Sequence, residues 1–275
     1  MNIKLIALDM DGTLMNNKSE LSKDNKKVLE KAIKAGIYVV PATGRVYNRL
    51  PEEIKNLQGI KYVLSSNGAA VYSTNENKPI YTNFMSTQKA LEIFNTIKDI
   101  NCIKEFYING QSYFEQKIID YIDTFDILPS FRKFYGREKQ AIKDIEIFLQ
   151  DNINGVEKIN LPWLSKEIKA ELFKRLSDIE DITITSSVKH NLELNKKGAN
   201  KGDGLKNLCN ILNINMSEVM AFGDSDNDLE MILQAGYGIA MSNGDISLKE
   251  KADFITLSND EDGVAYAIEK FCFKE

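Results

Sequence analysis

Two acidic clusters dominate the chain: Asp9-Met10-Asp11-Gly12-Thr13-Leu14 near its start and Gly223-Asp224-Ser225-Asp226-Asn227-Asp228 near its end. Each follows an apolar run, Ile3 to Leu8 in the first case and Val219 to Phe222 in the second. Such a run reads as a buried strand, and the carboxyl ends of strands are where open α/β sheets place ligands. Carboxylates crowded there repel one another unless a cation holds them. A hard divalent ion, Mg²⁺ foremost, with a phosphate completing its oxygen shell suits that donor set.

Asp9 at a strand end can attack phosphorus as a carboxylate nucleophile, giving an aspartyl-phosphate. Asp11 can protonate the leaving oxygen and later deprotonate the attacking water. Gly12 permits a turn that a Cβ would obstruct. A phosphate among these acids needs further positive compensation. Lys201-Gly202 opens a helix and brings a cation together with free amides, while the Thr43 hydroxyl and Gly44 amide lie at another strand–helix junction. A calcium loop competes for the same acids, but an EF-hand needs glycine at its sixth position, where Leu14 and Leu229 stand.

The elements around these residues alternate. Strands are expected at Ile3–Leu8, Ile37–Val40 and Tyr62–Ser65, with helices over residues 22–35, closed by Gly36, and 45–57. The C-terminal part repeats the pattern: helix 201–212, strand 219–222, helix 227–234, strand 237–240, strand 254–255 and helix 263–271. Short apolar strands separated by helices predict a mainly parallel, doubly wound, Rossmann-like α/β sheet. The middle differs. Asn109-Gly110 between alternating runs signals a type I′ hairpin, and helices at 87–98, 139–150 and 166–176 interleave with strands at 156–160 and 182–186. Residues 84–191 are therefore expected to form an α+β insert, and residues 1–83 and 192–275 the core.

Composition narrows the function classes. The chain has 275 residues, 43% hydrophobic and 27% charged, as in an ordinary globular protein, and is long enough for two domains. A net charge of -5 without a basic run argues against nucleic acid as a partner. Cys102, Cys209 and Cys272 are odd in number and unpaired in spacing, which reads as reduced structural thiols. The first apolar stretch is too short for a signal peptide or membrane span, so no membrane partner is expected and the cytoplasm is the expected compartment.

Four segments occur in the order of the four motifs of haloacid dehalogenase-like hydrolases, which this chain resembles over its whole length: Asp9–Leu14, Ala42-Thr43-Gly44-Arg45, Ala199-Asn200-Lys201-Gly202 and Gly223–Asp228. Ser66-Asn67-Gly68-Ala69 and Glu261-Asp262-Gly263-Val264-Ala265 resemble the Cof-type branch, and the insert lies where that branch carries its class IIB cap. The resemblance implies Asp9 as nucleophile and Asp11 as general acid–base. It implies Mg²⁺ on the Asp9 carboxylate, the Asp11 backbone carbonyl and Asp224, with phosphate on Met10, Thr43, Gly44, Lys201 and Asn227. Asp228 would orient a metal-bound water or Lys201. Arg45 and Asn67 are either substrate contacts or structural. Trp163 reads as core packing and His190, the single histidine, as a surface or structural residue rather than a ligand. The implied activity is phosphatase action on a small phosphorylated metabolite, sugar phosphates being the commonest class. Phosphotransfer or phosphomutation on sugar phosphates is the alternative, and a non-catalytic phospho-ligand sensor a further one.

Overall fold

The computed structural model describes residues 2–125, 127, 140–151, 154–187 and 189–273. The chain divides into two compact units: residues 1–45, 50–82 and 200–275 form one, and residues 46–49 and 83–199 the other.

The first unit is built on a five-stranded parallel sheet. Its strands lie in the order Phe254–Ile255, Tyr237–Ala240, Val219–Gly223, Leu5–Leu8, Tyr38–Pro41. The two central strands are wholly buried, which explains their unbroken apolar runs. Leu8 pairs with both Phe222 and Pro41, so the chain leaves three neighbouring strands at one edge as Asp9, Gly223-Asp224 and Ala42-Thr43. That register alone brings three distant motifs together. Ser22 caps helix Lys23–Lys34 by accepting from the Asn25 amide, and the helix buries Val28, Leu29 and Ala32. Beside the sheet, linked by an Ala42–Leu64 bridge, lies a three-stranded antiparallel sheet of Tyr62–Ser65, Ala70–Ser73 and Lys78–Thr82.

Helix Lys201–Leu212 is capped by the Asn200 side chain, which accepts from the Asp203 amide. It packs at backbone contact: a Cβ on Gly204 would fall 2.9 Å from the backbone of Gly68, and one on Gly202 2.7 Å from the Glu230 carbonyl. Only glycine allows this approach, which carries Lys201 against the strand ends.

The second unit holds a six-stranded sheet in the order Ile182–Thr185, Leu192–Lys196, Lys158–Leu161, Glu105–Ile108, Gln111–Glu115, Gln140–Ile142. All pairs are antiparallel except the last. Phe106, Ile108, Ile159, Leu161, Leu192 and Leu194 pack one face against helices Thr87–Ile97, Ile145–Gln150 and Lys166–Leu176. Asn109 and Gly110 have φ of 51° and 74°, as a type I′ turn requires. Trp163 packs beside Ile103, Phe114, Ile118 and Ile127, and His190 Nδ1 lies 3.3 Å from the Leu164 carbonyl.

Two expected helices differ. Residues 45–57 form a 3₁₀ turn, Tyr47–Arg49, and a short helix, Glu52–Lys55. Pro51 separates them, because it lacks an N–H and keeps Leu50 out of helical geometry. In the expected helix at 139–150, residue 139 lies outside the described residues. Gln140–Ile142 joins the sheet, and the helix starts only after Asp144, whose carboxylate caps the Glu146 and Ile147 amides. The strands Ala70–Ser73 and Lys78–Thr82 lay outside the expected elements.

Candidate active site

Lys201 is the electrostatic centre of the strand-end cluster. Its ammonium, with no solvent exposure, donates to Asp9 Oδ1 at 2.5 Å and to Asp228 Oδ1 at 2.6 Å. The other oxygen of Asp228 accepts the amides of Asp224 and Ser225, at 3.0 and 3.1 Å. Asp228 is thus both partner to Lys201 and the group that shapes the Gly223–Asp228 turn. Asp224 accepts the Thr13 hydroxyl at 3.0 Å.

Burial is the largest influence on Asp9, Asp224 and Lys201. It pushes the Asp9 carboxyl well above the ordinary range, Asp228 adds to the shift, and Lys201 opposes it. Asp224 is pushed up to about 6, by burial first and Asp228 second, against the Thr13 hydrogen bond and Lys201. Burial alone would lower the Lys201 ammonium, but Asp228 and Asp9 outweigh it and hold that group raised.

The donor set fits a hard divalent cation. Asp9, Asp224 and Asp228 each offer a carboxylate oxygen within 4.8 Å of the others. The raised Asp9 and Asp224 carboxyls are those of a cluster with one lysine for three acids.

The other expected residues fall around this centre. Gly12 has φ +87°, and a Cβ there would lie 2.5 Å from Asp224 Oδ2, so the turn and the acid both require glycine. Thr43 is buried, and its hydroxyl oxygen accepts the Arg45 amide at 3.0 Å, leaving its own hydrogen to donate elsewhere. Gly44 lies between them in the chain, and Met10 is buried next to Asp9. The Asn227 amide group donates to Asn67 Oδ1 at 3.1 Å, and its oxygen accepts the Ser225 hydroxyl at 2.8 Å. One N–H of that amide group stays available for a ligand. Asn67 itself is buried in left-handed backbone, φ 60°, between Ser66 at 51° and Gly68 at 79°. The Asp11 carboxylate stands apart from the metal-competent triad. Arg45 grips it from two nitrogens, Nε to Oδ2 at 2.8 Å and a terminal nitrogen to Oδ1 at 2.5 Å.

Sequence reasoning missed three supporting residues. Thr13 sits inside the first motif and orients Asp224. Asn243, in the loop that follows strand Tyr237–Ala240, donates to the Gly12 carbonyl at 2.8 Å. Asn259 donates to the Met15 carbonyl at 3.0 Å and passes its amide N–H to Asn243 Oδ1 at 3.0 Å. The signal for Asn243 was its place after a parallel strand of the same sheet; for Asn259 no local signal exists.

A family model of haloacid dehalogenase-like hydrolases matches residues 6–268. The chain belongs to this family. Within it the chain is a Cof-type phosphatase, a phosphoric monoester hydrolase. Phosphatase YwpJ of Bacillus subtilis strain 168 is 32% identical, over 96% of this chain and 98% of its own. The 5-amino-6-(5-phospho-D-ribitylamino)uracil phosphatase YcsE of the same organism is also 32% identical, over 97% of this chain and 95% of its own. A solved haloacid dehalogenase-like hydrolase from Bacillus subtilis superposes with a TM-score of 0.82 at 31% identity, covering 98% of this chain and all of the other. Among the described residues no helix is long and apolar enough to cross a membrane.

Proposed function

We propose that the chain is a Mg²⁺-dependent phosphatase of small phosphate monoesters, sugar and polyol phosphates foremost, acting through an aspartyl-phosphate on Asp9. One observation carries this reading: Asp9, Asp224 and Asp228 converge with Lys201 at the ends of two neighbouring strands, a nucleophile already compensated by a buried cation. Mg²⁺ would be held by the Asp9 carboxylate, the Asp11 backbone carbonyl and Asp224. When bound, it offsets negative charge on the phosphate and the acids.

The chain's own residues would act as follows. The Asp9 carboxylate oxygen attacks phosphorus while the bond to the leaving oxygen breaks, and the Asp11 carboxyl delivers its proton to that oxygen. The Asp11 carboxylate then takes a proton from water, whose oxygen attacks phosphorus and returns Asp9 as a free carboxylate. The Thr43 hydroxyl, the Gly44 and Met10 amides, the Asn227 amide group and Lys201 hold the phosphate oxygens. Asp228 keeps Lys201 charged and aimed.

The unit containing residues 83–199 is assigned the family's cap role, setting which esters are accepted. The substrate class draws support from YcsE, whose named substrate carries its phosphate on a ribityl chain. A phosphate-release assay over sugar phosphates, polyol phosphates, nucleotides and cofactor phosphates, with Mg²⁺ and with EDTA, tests both parts. The reading expects the highest kcat/KM on a sugar or polyol phosphate and no release in EDTA. An isomeric sugar phosphate in place of free phosphate would identify a mutase instead.

A further inference from the structure

The proposed chemistry needs the Asp11 carboxyl to turn one oxygen toward the leaving group. Both of its oxygens are instead turned toward Arg45, gripped by two nitrogens of one guanidinium. As arranged, the acid cannot present a proton to a substrate. Something must make Arg45 let go.

The backbone of Arg45 is fixed: its N–H donates to the Thr43 hydroxyl at 3.0 Å and its carbonyl accepts the Ser66 amide at 2.9 Å. The side chain therefore swings from a base beside Thr43, one of the groups assigned to the phosphate. The ion pair is also open to water, with the Asp11 side chain 50% and the Arg45 side chain 33% exposed. A guanidinium fork fits a phosphate as well as it fits a carboxylate, and a phosphate dianion carries twice the charge. A phosphate arriving on Thr43 and Gly44 thus offers Arg45 a better partner within reach.

We propose that Arg45 is a positioning residue that exchanges partners: it holds Asp11 while the site is empty and moves to the phosphate of the substrate, so that phosphate binding itself frees the Asp11 side chain to turn toward the leaving oxygen. The inference rests on the roles given above to Asp11 and the Thr43–Gly44 turn. It adds an order of events, and it links ground-state binding to the readiness of the acid.

The exchange predicts an energetic coupling that a merely structural arginine would not show. Asp11→Asn leaves a single, uncharged acceptor oxygen at position 11, so the cost of leaving that residue largely disappears. Inorganic phosphate binding to the Mg²⁺-loaded protein would be measured by calorimetry in wild type, Asp11→Asn, Arg45→Gln and the double variant. The loss of one negative charge favours phosphate in either background, and the Arg45→Gln pair of proteins measures that contribution alone. The expected result is about tenfold tighter binding on Asp11→Asn when Arg45 is present and less than about threefold when it is Gln. Equal gains in both backgrounds would overturn the exchange while leaving the phosphatase reading intact. No gain in either would do the same. Failure of every protein, wild type included, to bind phosphate would overturn both readings together.

Discussion

Lys201 and Asp228 form a fully buried ion pair, Nζ to Oδ1 at 2.6 Å, and Asp9 shares the same ammonium at 2.5 Å. One cation serving two buried acids leaves a net negative charge inside the protein, which a hard divalent ion would offset. The pair therefore ties stability to metal binding.

Lys201→Met should destabilise the metal-free protein severely. Removing one partner of a buried pair costs about 3–5 kcal/mol, because the remaining charge stays uncompensated. The raised ammonium is charged throughout the physiological range in folded and unfolded protein alike, so any variation of the loss with pH reports the acids left behind, and the loss should shrink as pH falls and Asp9 takes up a proton. Denaturant unfolding in EDTA measures it, and a loss under about 1 kcal/mol would contradict the account.

Asp224→Ala and Asp228→Ala should fail differently. The Asp224 side chain accepts the Thr13 hydroxyl and lies beside Asp9 in the acid cluster, so its loss should weaken apparent Mg²⁺ affinity by tenfold or more, about 1.4 kcal/mol. Asp228 holds Lys201 and two amides, so its loss should lower the melting temperature more than it lowers metal affinity. Mg²⁺ titration of activity beside thermal melts of both variants would show the ranking, and the reverse order would exchange their roles.

The raised Asp224 carboxyl predicts how metal stabilisation depends on pH. Its folded value of about 6 lies above the unfolded one, so the metal-free fold binds the proton more tightly. That fold accordingly loses stability as pH rises from about 4 through about 6, where the unfolded and then the folded carboxyl ionise. A bound cation favours the carboxylate and cancels the loss. The rise in melting temperature on adding Mg²⁺ should therefore be several degrees larger at about pH 8 than at about pH 5. Equal rises would show that these acids are not the metal site.

Asp11→Asn should depend on the leaving group. Esters with acidic leaving groups need little protonation in the transition state, so the variant should lose much less on an activated aryl phosphate than on an alkyl phosphate. A constant loss across a series of leaving-group pKa values would remove Asp11 from the general-acid role.

The site was legible where chemistry and secondary structure coincide. Apolar runs ending in Asp9 and Asp224 announced buried strands with acids at their ends, and Lys201-Gly202 announced a helix start. Contacts set by long-range register were not legible. That Lys201 reaches both Asp9 and Asp228 depends on Leu8 lying beside Phe222 and on the glycines that let its helix close in. The grip of Arg45 on Asp11 and the brace through Asn243 and Asn259 likewise join loops with no local signature. The helix expected over residues 45–57 failed because Pro51 breaks a run whose apolar spacing looks helical.

The most direct test of the central claim is mass spectrometry of enzyme quenched in acid during turnover of an activated phosphate ester with Mg²⁺. The account predicts a phosphoryl group on the peptide that contains Asp9, absent from Asp9→Asn, with turnover of that variant below about a hundredth of wild type. Undiminished phosphate release by Asp9→Asn, with no phosphoryl-peptide in either protein, would contradict it.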